Sequence, residues 1–302
     1  MKKLSFIITV CLALTAICVS CNEDAVFEKE MYEKVVALIS SGSYNIFEET
    51  HELTGNESVG YIAASVGGTE ATDRDIVITL EEDTAPLDTY NKAMFDADQS
   101  AYARLLPSDQ YTIDDYTITI PAGARGGKTM IKVDPERLSP DSTYFVSLRA
   151  ASWSAYGLNT KKDNVLYRVL IENDYASQAS ESNYIMEGFY NDVLTGGNKR
   201  MHPISWNKVR IMAGKEAFQA KADIIAAGAI VLEVNYDNNI RITPYKDIRV
   251  EAITDDPEYN NTFRTEVSNN RTYNVFTIAY KYSIGGGTTY TMKETLRMVR
   301  SK

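Results

Sequence analysis

The chain has 302 residues and an acidic balance, 41 Asp+Glu against 31 Lys+Arg, giving a net charge of −10 at pH 7. A negative field of this kind disfavours nucleic acid and anionic lipid surfaces as partners. The three cysteines stand at positions 11, 18 and 21. Beyond residue 21 the chain therefore has no disulfide, thiolate metal cluster, dithiol redox site or cysteine nucleophile.

Residues 1–20 have the layout of an export leader: Met1-Lys2-Lys3 is a positive start, Leu4 to Val19 an apolar run, and Ser20-Cys21 its end. Three readings fit: a cleaved leader with lipid on Cys21, a plain secreted leader, or a retained membrane anchor. The small residue before Cys21 and the abrupt polar turn at Asn22-Glu23-Asp24 favour the first. Lipid attachment would also occupy the one thiol left without a partner. Cleavage removes Lys2 and Lys3 and leaves 29 basic against 41 acidic side chains, a net charge of −12. The lipid, and no basic patch, would then hold the protein to a membrane. A remainder of about 280 residues exceeds a typical single core, so two domains are expected.

Residues 21–31 read as an acidic tether, and a first domain spans 32–172. Its expected strands are Val35–Ile39, Tyr44–Leu53, Ser58–Val66, Asp75–Leu80, Tyr116–Ile120, Met130–Val133, Tyr144–Leu148 and Asn164–Ile171. A helix is expected within Leu87–Leu106, and a loop over Ala151–Asn159 carries Trp153 and Tyr156. Strands this short, closed by turns with no room for helices, predict an antiparallel sandwich. Glu172 to Asn183 has the Ser/Asn/Glu composition of a linker, and a second domain spans 183–302.

In the second domain the expected strands are Tyr184–Tyr190, Trp206–Met212, Ile230–Val234, Ile240–Thr243 and Ile248–Ile253. A turn is expected at Thr195–Arg200, a short helix or loop at Lys215–Ala222, and an acidic loop at Asp255–Asn261. The final hairpin has the clearest pattern. Asn274, Phe276, Ile278, Tyr280 and Tyr282 share one face, Gly285 to Gly287 form the loop, and Tyr290, Met292, Glu294, Leu296 and Met298 return. A terminus patterned in this way belongs inside a sheet.

Motifs for chemistry are sparse. His51 and His202 are the only histidines, too few for a zinc site without thiolates, and no G-x-S-x-G elbow accompanies them. His51 is expected at a strand end and His202 in a loop beside Pro203. A pair of carboxylates could run glycoside hydrolysis, and Glu81-Glu82, Asp114-Asp115 and Asp255-Asp256 are the obvious acid clusters, but adjacent carboxylates at turns are ordinarily solvated surface. Asp237-Asn238-Asn239 lacks the glycine and closing glutamate of a calcium loop and fits a hairpin turn. Gly126-Gly127-Lys128-Thr129 lacks the glycine spacing of a phosphate loop and lies between strands. No metal or cofactor is expected. Aromatic content stands out, with 20 Tyr and 2 Trp. Most of these rings would pack the sheets, while an exposed ring among polar neighbours can carry a sugar face. Trp153, Tyr156 and Trp206 are the candidate carbohydrate contacts.

Several residues carry a family resemblance. Asp88-Thr89-Tyr90-Asn91, Leu106-Pro107 with Tyr111, Ile120-Pro121-Ala122-Gly123 and Tyr144 resemble an N-terminal domain of unknown function shared by Bacteroidetes lipoproteins of polysaccharide-utilisation loci. Tyr184, Glu187-Gly188, the Val275–Tyr282 strand and Glu294-Thr295-Leu296 are similar to the second domain that often follows it. The resemblance covers about Tyr32 to Arg300. It implies an all-β chain: an immunoglobulin-like β-sandwich, then an antiparallel sandwich or barrel-like domain closed by the C-terminal hairpin. The acidic Cys21-Asn22-Glu23-Asp24 start resembles the signal that sends such lipoproteins to the outer leaflet of the outer membrane. A non-catalytic cell-surface role in polysaccharide or oligosaccharide capture follows as an expectation, beside an outer-membrane transporter assembly. The alternatives are a structural or adhesive lipoprotein and, more remotely, a hydrolase. The resemblance supplies no binding residues. Relatives that join the first domain to a glycosidase barrel carry a D-x-x-D-x-D-x-E run, which this sequence lacks.

Overall fold

The computed structural model describes residues 32–300. Cys21, the leader and residues 21–31 lie outside the described residues. In chain order the first half forms β1 (Val35–Leu38), β2 (Ile46–Glu52), β3 (Ser58–Gly67), β4 (Ile76–Glu82), α1 (Ala85–Phe95), β5 (Arg104–Leu105), β6 (Tyr111–Ile113), β7 (Thr117–Ile120), β8 (Gly126–Val133), β9 (Tyr144–Trp153), β10 (Gly157–Leu158) and β11 (Asn164–Glu172). One sheet has the order β10-β1-β3-β8-β6 and the facing sheet β2-β11-β9-β4-β7, with β5 added beside β9. This is an immunoglobulin-like sandwich, with the opening segment divided between the two sheets.

Period-2 patterning explains the layering. Ile76, Ile78 and Leu80 of β4 turn into the core while Val77 faces out, and Ile118 and Ile120 of β7 join them. The expected antiparallel pairing has three exceptions: β1 with β10, β2 with β11, and β5 with β9 are parallel. In each pair the partners are far apart in sequence, so the intervening chain serves as the connection and no crossover helix is needed. Helix α1 begins where the Asp83 carboxylate accepts the Ala85 N–H and Pro86 supplies a preset φ. Its Leu87 and Tyr90 pack on Phe145 and Leu166, and the Asn91 amide closes a two-point hydrogen bond on the Ala103 backbone, 2.9 Å each way.

The second half forms β12 (Ser182–Tyr190), β13 (Val193–Ser205), β14 (Lys208–Met212), α2 (Ala222–Gly228), β15 (Ala229–Val234), β16 (Ile240–Pro244), β17 (Arg249–Ala252), β18 (Thr262–Ser268), β19 (Arg271–Ser283) and β20 (Tyr290–Val299). They make one antiparallel nine-stranded sheet, β16-β15-β14-β13-β12-β20-β19-β17, with β18 also on β19. The end strands β16 and β17 come side by side, so the sheet is a near-closed barrel. The final hairpin is built as its pattern predicts, with Gly285 and Gly286 at φ +59 and +72 in its loop.

Several expectations are corrected. Thr195–Arg200 is not a turn. Asn191 and Asp192, both at positive φ, make a two-residue hairpin turn, and β13 runs through Gly196-Gly197. His202 consequently lies in β13 opposite Arg210, not in a loop. Strand β9 extends to Trp153 and occupies the first part of the expected Ala151–Asn159 loop. Helix α2 starts at the end of the expected 215–222 segment. Strand β18 lies outside the expected set; its few apolar residues include a largely exposed Val267, so it has no apolar face for alternation to mark.

The two halves meet at the 173–178 connection and the turn before β9. Asn173 donates to the Ser205 and Lys208 carbonyls at 2.7 and 3.0 Å. Asp141 forms an ion pair with the buried Arg210 and accepts the Tyr245 hydroxyl at 2.7 Å.

Candidate functional site

Two neighbouring hairpin tips of the barrel place an aromatic pair in solvent. The first is the Trp206-Asn207 turn between β13 and β14, where the Ser205–Lys208 pairing follows a bulge at Pro203. The second is the β15–β16 tip, where Asn238 donates its N–H to the Asn235 carbonyl at 2.9 Å and Asn238 takes φ +64. Asn207 fastens the tips together: its amide donates to the Val234 carbonyl at 3.0 Å, and the Val234 N–H returns to the Asn207 carbonyl at 2.9 Å. Trp206 and Tyr236 thereby lie with ring centres 5.4 Å apart and planes inclined at 35°. Trp206 is 40% exposed and Tyr236 94% exposed. The pair is an angled ledge and not a flat platform.

The turn that carries Tyr236 is polar. Asp237 accepts the Asn239 backbone N–H at 3.0 Å and its amide at 2.6 Å, and these bonds hold its carboxyl below the usual carboxylate range. Apolar ring faces beside a fixed carboxylate can hold a pyranose, whose C–H face and hydroxyl rim match an apolar surface and an acceptor.

The other aromatic candidates are arranged differently. Trp153 is 40% exposed at the end of β9 and donates its indole N–H to the Tyr156 carbonyl at 3.1 Å. Tyr156 sits at φ +64, its hydroxyl is bound to Asp73, Lys34 lies 5.5 Å over its ring, and it packs against the first core. The structure brings Trp153 and Tyr156 together as a tied corner, and joins neither to Trp206. Tyr236 was missed by sequence reasoning. Its signal was a lone aromatic at the head of a polar turn, Asn235 to Asn239, where no core position calls for one.

Several of the remaining polar candidates have structural partners. His51 is buried, with its Nε2 2.9 Å from the Tyr167 hydroxyl. Glu81 pairs with Arg149, Asp114 with Lys132 at 2.7 Å, and Asp256 with Lys293 at 2.8 Å. No group of three His, Cys, Asp or Glu is set to hold a metal among the described residues. Inside the barrel, Lys199 donates to Glu294 at 2.6 Å and the Tyr280 hydroxyl donates to the same oxygen at 2.8 Å. Burial pushes Lys199 down and Glu294 up, and their mutual attraction opposes both shifts. Sealed from solvent, this cluster is out of a substrate's reach.

A family model described as an N-terminal domain matches residues 27–157, and another described as a C-terminal domain matches residues 163–297. No curated protein matches the sequence. Among solved structures, a Bacteroides ovatus protein of unknown function superposes with a TM-score of 0.66 at 16% identity, covering 88% of this chain and 94% of its own. A second B. ovatus protein of unknown function gives 0.64 at 15% identity, with 92% and 94% covered. An auxiliary nutrient binding protein from Bacteroides thetaiotaomicron gives 0.60 at 14% identity, with 86% and 93% covered. The chain shares its two-domain, β-rich fold with these Bacteroides proteins.

Proposed function

We propose that this protein is a non-catalytic accessory of polysaccharide capture, lipid-anchored through Cys21 at the outer membrane, that holds glycan chains on the Trp206–Tyr236 ledge. The exposure of two neighbouring rings on tied hairpin tips carries the reading. An almost fully exposed tyrosine takes no part in a core, and the polar turn that carries it suits a hydroxyl-rich ligand. A 35° inclination suits a single twisted chain better than a flat crystalline surface, because the two rings cannot lie on one plane. The resemblance to polysaccharide-utilisation lipoproteins and the shared fold with an auxiliary nutrient binding protein agree with this role.

Two experiments test it. A glycan array probed with the purified protein, from Cys21 onward, should return at least one polysaccharide; product release from a glycan would restore the hydrolase reading. Mass spectrometry of the N-terminal peptide from cells should find Cys21 carrying lipid. An unmodified terminus or an intact leader would remove the anchor. The structural or adhesive reading gains from the corner at Trp153 and Tyr156, whose polar groups are spent on the fold. Co-purification of an outer-membrane protein without any glycan retention would select it.

A further inference from the structure

A cavity, chemically different from the ledge, lies between the two halves. It has a volume of about 320 Å³ and is lined by Asp141, Arg168, Gln178, Arg200, His202 and Phe218, among others. That volume is at the lower end of small-molecule sites, which run from about 300 to 1,000 Å³. Phe218 is its organising group. The guanidinium carbons of Arg200 and Arg210 lie 5.5 and 5.6 Å from its ring centre, and the His202 ring centre is 4.4 Å away.

Basic groups gather here in a chain whose net charge is −10. Each arginine already holds one carboxylate: Arg168 binds Glu48 at 2.7 Å, Arg200 binds Glu181 at 3.0 Å, and Arg210 pairs with Asp141. Donor capacity is left over. Arg168 Nε and Arg210 Nη2 are buried without an acceptor among the described residues, and Nε2 of His202, itself only 9% exposed, is buried without a hydrogen-bond partner. Arg168 and His202 line the cavity, and Arg210 stacks on Phe218, which also lines it. Buried charged donors are ordinarily satisfied, and a guanidinium fork matches the oxygens of a carboxylate or sulfate. An oxyanion accounts for the donors, and the Phe218 ring offers an apolar face beside them.

We propose that the cleft between the two halves binds a sugar residue bearing an oxyanion, a uronate or a sulfated pyranose. The oxyanion part rests on the cleft alone; the sugar part rests on the function proposed above. The two sites divide the work: the ledge meets the neutral face of a chain, and the cleft selects its charged residues.

The test is calorimetric titration of the chain from Cys21 onward with oligogalacturonides, with carrageenan oligosaccharides, and with neutral galacto-oligosaccharides of equal length. At least one charged series should bind tenfold or more tightly than the neutral one. Preference for galacturonides assigns a carboxylate, and preference for carrageenans a sulfate. Arg200→Gln should weaken that binding at least tenfold, whereas Arg74→Gln, the same charge change at an exposed position before β4, should leave it unchanged. Should Arg200→Gln not fold, Phe218→Ala on the 214–221 loop is the second variant and should show the same loss. Equal affinity for charged and neutral sugars, no binding of any charged sugar, or equal weakening by Arg74→Gln overturns the proposal. Failure of the ledge would show instead as loss of retention on neutral polysaccharide, which does not bear on the cleft.

Discussion

At the scale of single residues, the buried polar groups are where stability is most exposed to change. Lys199, Glu294 and Tyr280 form one hydrogen-bonded unit inside the barrel, and Tyr280 also accepts the Gly214 N–H at 2.9 Å. Lys199→Met would leave the Glu294 carboxylate buried without its cation, and a loss of about 3–5 kcal/mol in urea unfolding is expected. Half of this unit was legible: Glu294 fell on the same face of its strand as Met292 and Leu296, an acid in an apolar row. Its partner was hidden, because Gly196-Gly197 made the segment holding Lys199 read as a turn. The two histidines give a pH dependence. Burial lowers both His51 and His202 from 6.5 to about 4, with the Arg200 charge adding to the effect at His202. The unfolded rings take up a proton near pH 6.5 while the folded ones resist it down to about 4. Their contribution to stability is therefore complete above pH 6.5 and falls with pH by about 1.4 kcal/mol per unit for each ring. Urea titrations between pH 7.5 and 4.5 should show a flatter slope in a His51→Gln, His202→Gln double variant than in the native chain.

At the scale of elements, legibility followed the burial pattern. Strands with one apolar face, such as β4 and the β19–β20 hairpin, could be read directly from alternation. Strand β18 could not, since it is held by its ladder to β19 and by the Asn269-Asn270 turn at φ +50 and +58, and little of it enters the core. Turn chemistry misled in the opposite direction at Gly196-Gly197, where Asn191-Asp192 already provided the left-handed pair. Close approach of two strands gives a sharp test. On β12, a Cβ at Gly188 would collide with the Lys293 carbonyl of β20. Gly188→Ala is expected to lower the melting temperature through loss of that ladder, with about 1–3 kcal/mol of destabilisation. An unchanged melting curve would mean that the strand pairing at this point is looser than described.

At the scale of the whole molecule, the all-β class followed from strand length and turn frequency, while the way the halves meet did not. The contact depends on side chains distant in sequence: Asp141, in a turn whose Pro and Ser neighbours marked only a loop, reaches Arg210 and Tyr245 of the barrel. Asp141→Ala leaves the Arg210 guanidinium buried without its carboxylate, and calorimetry should show a lower midpoint, with one unfolding transition separating into two. The candidate site was legible in part for the same reason. Trp206 stood out as a tryptophan at a strand entrance, but only the hairpin register brings Tyr236 beside it. The most direct measurement is affinity electrophoresis of the native chain and the Trp206→Ala, Tyr236→Ala double variant through gels containing the polysaccharide selected on the array. Both should have the same melting temperature, because the rings lie outside the cores. Retardation of the native chain and free migration of the variant are expected; equal retardation of the two would contradict glycan binding at the ledge.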